Sequence, residues 1–286
     1  MNSIYNFLRS SHLDVFSLYP PGHFSSPIPN RREIRAKSDT TTREIPGIDL
    51  RAEQQLSLLQ TLSNYYAELP FTATATDRTR YYYDNDFFSY GDAIILFCML
   101  RHYRPGRVVE VGSGFSSAVM LDTKELFLQA LDLTFIEPET NRLRRLLKDR
   151  GETQAHLIEE RIQEADLSIV KSLNENDLLF VDSSHVLKLG SDVGHIVFQI
   201  LPLLKKGVII HFHDIPWPFE YPREWLDKGI FWNEAYFLRA FLQYNKAFEI
   251  LYFNSYIFEF HREILGEKMP LCLRNPGGGL WLRKVV

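Results

Sequence analysis

Hydrophobic positions recur along this chain with two periods, and the switch between them marks out its elements. From Val108 onward, short apolar runs alternate with longer stretches of helical spacing. The runs are RVVEV, LTFIE, DLLFVD and VIIHFHD, and the last two are near-continuous, as in strands buried on both faces. A helix follows RVVEV at once, TNRLRRLLKDRG reads as a second, and GSDVGHIVFQILPLLKKG as one amphipathic helix closed by Gly207. HLIEERIQEADLSIV adds a strand expected to end near Ile162. This βαβ alternation predicts a doubly wound parallel α/β sheet. Upstream, Leu56, Leu59, Leu62 and Tyr66 repeat at helical spacing, so 51–69 should be a helix with one buried face. Residues 1–50, with prolines at 20, 21, 27, 29 and 46, read as an extended arm with a short helix within 4–18.

The stretch RVVEVGSGFSSAVML joins a strand to a helix through a glycine turn. Gly112 and Gly114 permit torsions and a close ligand approach that side chains would block. The first N–H groups of the helix, with Ser116 and Ser117 as caps, face whatever lies above. G-x-G-x-x-S is one glycine short of the dinucleotide fingerprint. Two acids extend it: Glu110 precedes the first glycine by two, and Glu137 ends the next strand 23 positions past Gly114 (137 − 114). A carboxylate there can take both hydroxyls of a ribose, and its bland alternative is a solvated strand end.

EVGSGFSS, FIEPE, FVDSSH and HFHDI, in that order, resemble the class I S-adenosylmethionine-dependent methyltransferases, within them a bacterial branch resembling metal-dependent small-molecule and sugar O-methyltransferases. The resemblance runs from Tyr81 to the C-terminus. It implies a Rossmann-like seven-stranded sheet whose last two strands are antiparallel, FEILYFNSYIFEF and GGGLWLRKVV being the segments available. The organisation expected is an N-terminal arm and helical cap over 1–80 and a methyltransferase domain over 81–286.

Composition sets the class of partner. The chain has 286 residues, 45% of them hydrophobic, a net charge of −4 and a pI near 6.2. It can build a sizeable core and has no basic footprint for nucleic acid. No apolar run approaches a membrane span and no leader pattern opens the chain, which points to a cytoplasmic protein with no membrane partner and leaves room for a homo-oligomer. Cys98 and Cys272 lack metal-ligand or redox spacing and read as buried thiols.

Asp182 and Asp214 each end a strand on the side where open parallel sheets bind ligands, with His185 three residues beyond the first and His213 just before the second. Methyl transfer to a hydroxyl needs alignment and a base. The resemblance implies S-adenosylmethionine held by Glu110, Gly112, Gly114, Ser116 and Glu137, with His185 as base and Asp182 and Asp214 orienting the acceptor. The loop after the third strand meets the adenine in this fold, where Gln163 or Asp166 is either a contact or a helix cap. The aromatic segment RYYYDNDFFSYGD lies over the methionine end, making Tyr83, Asn85 and Asp92 lid candidates against a plain packing seam. The resemblance also puts a divalent ion (Mg, Mn, Fe or Zn) on Asp182, His213 and Asp214, although imidazole is a poor ligand for magnesium, and a metal-free site stands beside it. Regular alternation would place His213 and Asp214 on opposite faces, so a turn at His213 is required. His211 and His195 read as hydrogen-bonded core histidines, Ser183 and Ser184 as caps or loop contacts, and Asp192 as a cap or substrate contact.

The segment after the fifth strand carries three of the four tryptophans. Trp217, Tyr221, Trp225, Trp232, Asn233 and Glu234 form a candidate substrate wall, with packing as the alternative for each aromatic. Two rivals remain: a nicotinamide-dependent oxidoreductase, disfavoured by the absent third glycine and Tyr-x-x-x-Lys pair, and a non-catalytic binding or scaffold protein that keeps the fold.

Overall fold

A computed structural model describes residues 18–37, 42–147 and 155–286. The helix expected within 4–18 falls, Leu18 apart, outside the described residues. The described chain forms two compact units, one of 42–220 with 232–286 and a smaller one holding residues up to 41 and 221–231.

In the smaller unit the arm is not wholly extended. It folds into α1 (Arg31–Ala36), where Asn30 Oδ1 accepts from the N–H of Arg32 and Glu33, and Glu33 Oε2 accepts from Asn30 N at 2.8 Å. This capping box lies within a charged run that hydropathy alone reads as polar arm.

The larger unit opens with α2 (Ala52–Leu62), which tightens into a 3₁₀ turn over Ser63–Glu68. Its buried stripe is Gln55, Leu58, Leu59 and Leu62, rotated from the expected one. Gln55 is admitted because its amide is satisfied, donating to Leu50 O at 2.6 Å and accepting from Phe253 N at 2.8 Å. Then come α3 (Tyr90–Tyr103), β1 (Arg107–Val111), α4 (Phe115–Phe127), β2 (Asp132–Ile136), α5 (Asn141–Leu147), β3 (His156–Ile158), α6 (Ser168–Lys171), β4 (Leu178–Val181), α7 (Asp192–His195) and β5 (Ile209–Phe212). α8 (Arg223–Asp227) belongs to the smaller unit, and α9 (Glu234–Leu242), β6 (Phe248–Phe253), α10 (Asn254–Phe260), α11 (Arg262–Lys268) and β7 (Leu280–Lys284) close the larger one.

The seven strands lie in the order β3-β2-β1-β4-β5-β7-β6. β1 to β5 are parallel, and β7 runs antiparallel to both β5 and β6. β4 and β5 are buried at every position, as their unbroken apolar runs require.

Three expectations are corrected. The long helix after β4 is broken: α7 passes into a π turn over Ile196–Ile200 and a 3₁₀ turn over Leu201–Leu203, because Pro202 has no N–H to continue an α ladder. β3 is three residues long and ends at Ile158, not near Ile162. FEILYFNSYIFEF is a strand only to Phe253, after which Asn254 starts α10.

Candidate active site

The carboxyl ends of the central strands finish level with one another. Val111 pairs with Ile136 on one side and Val181 on the other, and Val181 pairs with Phe212. The next residues, Gly112, Glu137, Asp182 and His213, therefore form a row. Backbone bonds extend the ladder through it, Gly112 N to Ile136 O at 3.0 Å, Asp182 N to Val111 O at 2.9 Å and His213 N to Val181 O at 2.9 Å.

At the glycine turn, Gly112 has φ +87°, and a Cβ on it would meet the Asp182 carbonyl oxygen at 1.8 Å. Glycine is required here by the neighbouring strand, not only by a ligand. A Cβ on Gly114 would lie 3.2 Å from Arg142 Cδ. Beneath the turn Glu110 is fully buried. Ser116 Oγ donates to it at 2.6 Å, and Ser117 Oγ donates to its other oxygen while accepting from Gly114 N at 2.9 Å. Burial pushes Glu110 up to about 8 against the pull of these serines. Glu110 and Ser116, both buried, thus brace the turn from below.

Above the turn opens a cleft of about 620 Å³, within the range of small-molecule and cofactor sites. Glu137 stands at its rim, Oε2 accepting from Ser113 N at 3.0 Å and Oε1 from Glu139 N at 2.7 Å. Gln163 lines the cleft and donates to Gly190 O at 2.9 Å. Asp166 instead caps α6 through Ser168 N at 2.8 Å. Asp192 also lines the cleft and accepts from Ser184 N at 2.8 Å. Phe87 and Arg142 lie together at the mouth with the guanidinium 3.9 Å from the ring centroid.

At the other end an acid–imidazole cluster closes the cleft. His185 Nε2 lies 3.3 Å from Asp182 Oδ1 and 3.8 Å from Asp214 Oδ2, while Nδ1 is 2.9 Å from Glu234 Oε2. Burial works against the charged ring, but the Asp182 and Glu234 carboxylates accept hydrogen bonds from it, overcome that cost and raise His185 to about 10. At neutral pH His185 is therefore a cation and must yield a proton before it can act as a base. His213 Nε2 lies 3.6 Å from Asp214 Oδ1, and Nδ1 3.8 Å from Asp92 Oδ1. Burial lowers His213, yet Asp214, Asp182 and Asp92 hold it above the usual imidazole value. The turn that lets both neighbours reach the cleft falls at Asp214, with φ +54°, one residue later than alternation suggests.

The other named residues divide between scaffold and cleft. His211 is buried, stacks on Phe180 at 4.1 Å, and is pushed well down by burial and by His213, so it is a neutral core ring. Tyr83 is corrected from a cofactor contact to a packing residue: its ring is 3% exposed and stacks on Tyr90 at 4.9 Å. Asn85 ties its own loop, accepting from Phe88 N at 2.7 Å. Asp92 sits in the first turn of α3, accepts from Gly278 N at 2.8 Å, and is pushed up to about 6 by burial against His213. Trp217, half-buried, packs on Phe253, Tyr256 and Phe260, and its indole donates to Thr42 O at 3.0 Å, so its ring is engaged in packing in place of a substrate wall. Tyr221 belongs to the smaller unit, where it is fully buried with its ring 6.1 Å from Trp225. Trp232 lines the cleft. Asn233 and Glu234 turn inward, to the loop and the imidazole of His185.

S-adenosylmethionine fits this cleft on the donor set present. Glu137 keeps free lone pairs for hydroxyls, and Ser113 Oγ and Ser183 Oγ are buried at the wall with no partner among the described residues. Ser113, between the two glycines, carries no helical or strand pattern that would have singled it out. A divalent ion fits less well. Among the described residues no group of three or more His, Cys, Asp or Glu is arranged to hold one, and the Nε2 side of His185 stands between Asp182 and Asp214.

Residues 109–215 match the family model described as a methyltransferase domain. With this sheet order and glycine turn, the chain is a class I S-adenosylmethionine-dependent methyltransferase. It belongs to one family with an uncharacterized protein of Archaeoglobus fulgidus, to which it is 38% identical over 173 residues, 57% of this chain and 77% of that one. Similar solved structures include a Podospora anserina methyltransferase bound to S-adenosylhomocysteine, 17% identical over 68% of this chain and 78% of that one with a TM-score of 0.43. Another is the O-methyltransferase of tomaymycin synthesis from Streptomyces achromogenes in complex with S-adenosylmethionine, 13% identical over 81% and 90% with a TM-score of 0.41.

Proposed function

We propose that this methyltransferase acts on an oxygen of a small-molecule acceptor. One observation carries the reading: Asp182, His185 and Asp214 converge at the end of the same cleft whose rim holds Glu137 and the glycine turn. S-adenosylmethionine, when bound, supplies a methyl group activated on a sulfonium. Glu137 holds ribose hydroxyls, and Ser113 and Ser183 offer hydroxyls to its polar groups. The Asp182 and Asp214 carboxylates orient the acceptor through polar hydrogens other than the reacting one, and the single proton of the reacting hydroxyl passes to His185 Nε2 once that ring has lost its own to solvent. No helix among the described residues is long and apolar enough to cross a membrane, and the free, buried Cys98 and Cys272 suit the reducing cytoplasm where we place the enzyme.

The test is a screen of hydroxyl-bearing acceptors with methyl-labelled S-adenosylmethionine, followed by assignment of the labelled atom. An O-methyl product lost in Asp182→Asn is expected. A product labelled on nitrogen or carbon overturns the oxygen assignment.

A further inference from the structure

Trp232, Asn233 and Glu234 lead into α9 and grip the loop that carries His185. The N–H groups of Asn233 and Glu234 both donate to the carbonyl of His185, at 3.1 and 3.2 Å. The Asn233 side chain accepts from Leu187 N at 2.6 Å and donates to Leu187 O at 3.1 Å. Trp232 lies against the imidazole with ring centroids 4.3 Å apart. Glu234 Oε2 completes the grip on Nδ1. His185 needs this restraint because its φ of +58° is a region that residues other than glycine avoid.

Glu234 itself is 1% exposed, and its Oε1 has no partner among the described residues. A buried carboxylate with one partner is a poor packing residue, since an apolar side chain would fill the space without desolvating a charge. Its placement makes sense only through the ring it bonds. We infer that Glu234 is a positioning residue: by engaging Nδ1 it fixes the imidazole so that Nε2 alone faces the cleft between Asp182 and Asp214. This rests on the methyl-transfer reading for its consequence, but the ring orientation can be read without an acceptor. Glu234 touches neither reacting group and acts through His185.

The experiment compares wild type, Glu234→Ala and Glu234→Gln, the last keeping an oxygen for Nδ1 in the same shape. Nuclear Overhauser contacts between the His185 ring and the Trp232 indole report orientation, calorimetry with S-adenosylhomocysteine reports the cofactor cleft, and labelled methyl transfer reports turnover. Glu234→Ala is expected to lose the ring contact and to lower kcat by about 30-fold or more with KM for S-adenosylmethionine within about threefold, and Gln to recover most of the loss. Glu234→Ala that keeps the ring contact, or that keeps kcat within about threefold, overturns the role. Wild-type protein that transfers no methyl but shows the contact, lost in Glu234→Ala, fails the functional reading and leaves the positioning intact.

Discussion

A side chain on Gly112 would begin 1.8 Å from the carbonyl oxygen of Asp182, so the turn after β1 and the end of β4 share one space. The cofactor turn and the acidic end of the cleft are for this reason not independent. Gly112 also holds φ +87°. Gly112→Ala should therefore cost about 3 kcal/mol or more in urea unfolding, since strain and a backbone clash add. Gly190, with φ +72° but open space around it, is the control, and Gly190→Ala should cost about 1–2 kcal/mol. Equal costs at the two sites would mean that torsion, and not the approach of Asp182, requires Gly112.

Glu137 supplies the second expectation. Both of its oxygens already accept a backbone N–H, which fixes the carboxylate at the rim with lone pairs to spare. Glu137→Ala should weaken S-adenosylhomocysteine binding about tenfold to a hundredfold by calorimetry, because two charge-assisted hydrogen bonds are lost. Unchanged affinity would move the ribose elsewhere.

Much of this was legible in the sequence because the information is local. Apolar runs of the right length give β1, β2, β4 and β5, and each strand end then fixes where Glu137, Asp182 and His213 stand. What was hidden depends on partners distant in sequence. Nothing near Glu234 says that its carboxylate turns inward to a ring 49 positions earlier, and nothing in PWPFEY says that Trp217 packs on α10. Glu110 looked like a ligand contact because spacing cannot tell the upper from the lower side of a turn. α7 stops early because one proline outweighs an apolar pattern that still reads as helix.

His185 ties stability to pH. Its folded-state value of about 10 lies above the ordinary 6.5, so the stability it contributes is fully present below about pH 6.5 and is lost as pH rises through 10. Unfolding free energy should fall by several kcal/mol between about pH 7 and 10, and His185→Asn should flatten that slope. A histidine titration by nuclear magnetic resonance that finds His185 near 6.5 would remove the charged pairing with Asp182 and Glu234.

Glu110 works over a lower window. Burial raises it from 4.5 to about 8, so the folded protein holds a proton that the unfolded chain releases, and its contribution declines as pH rises from about 4.5 through 8. Glu110→Gln, neutral and similar in shape, should be close to wild type at pH 5 and more stable than it above pH 8. Urea curves at the two pH values decide the point, and a variant weaker at both would show that the carboxylate is ionised in the folded state.

Asp122 reaches the site through a chain of contacts that begins on α4. It is 1% exposed and accepts from Arg80 N at 2.8 Å, Tyr81 N at 2.9 Å and Arg80 Nη1 at 2.9 Å. Tyr81 then donates its hydroxyl to Phe88 O at 2.7 Å, and the Phe88 ring lies 5.1 Å from His213. One buried carboxylate thus anchors the segment that brings Phe87 to the cleft. Asp122→Ala strands two backbone donors and takes from the buried Arg80 guanidinium the more buried of its two carboxylate partners, and should cost about 2–4 kcal/mol in urea unfolding. It should also weaken S-adenosylhomocysteine binding at temperatures where the variant is still folded. Glu125 pairs with the same Arg80 from a more exposed position, and Glu125→Ala should cost less than about 1 kcal/mol and leave binding unchanged. If Asp122→Ala lowered stability but bound S-adenosylhomocysteine like wild type, the 80–88 segment would be a wall of the core and not a part of the cofactor site.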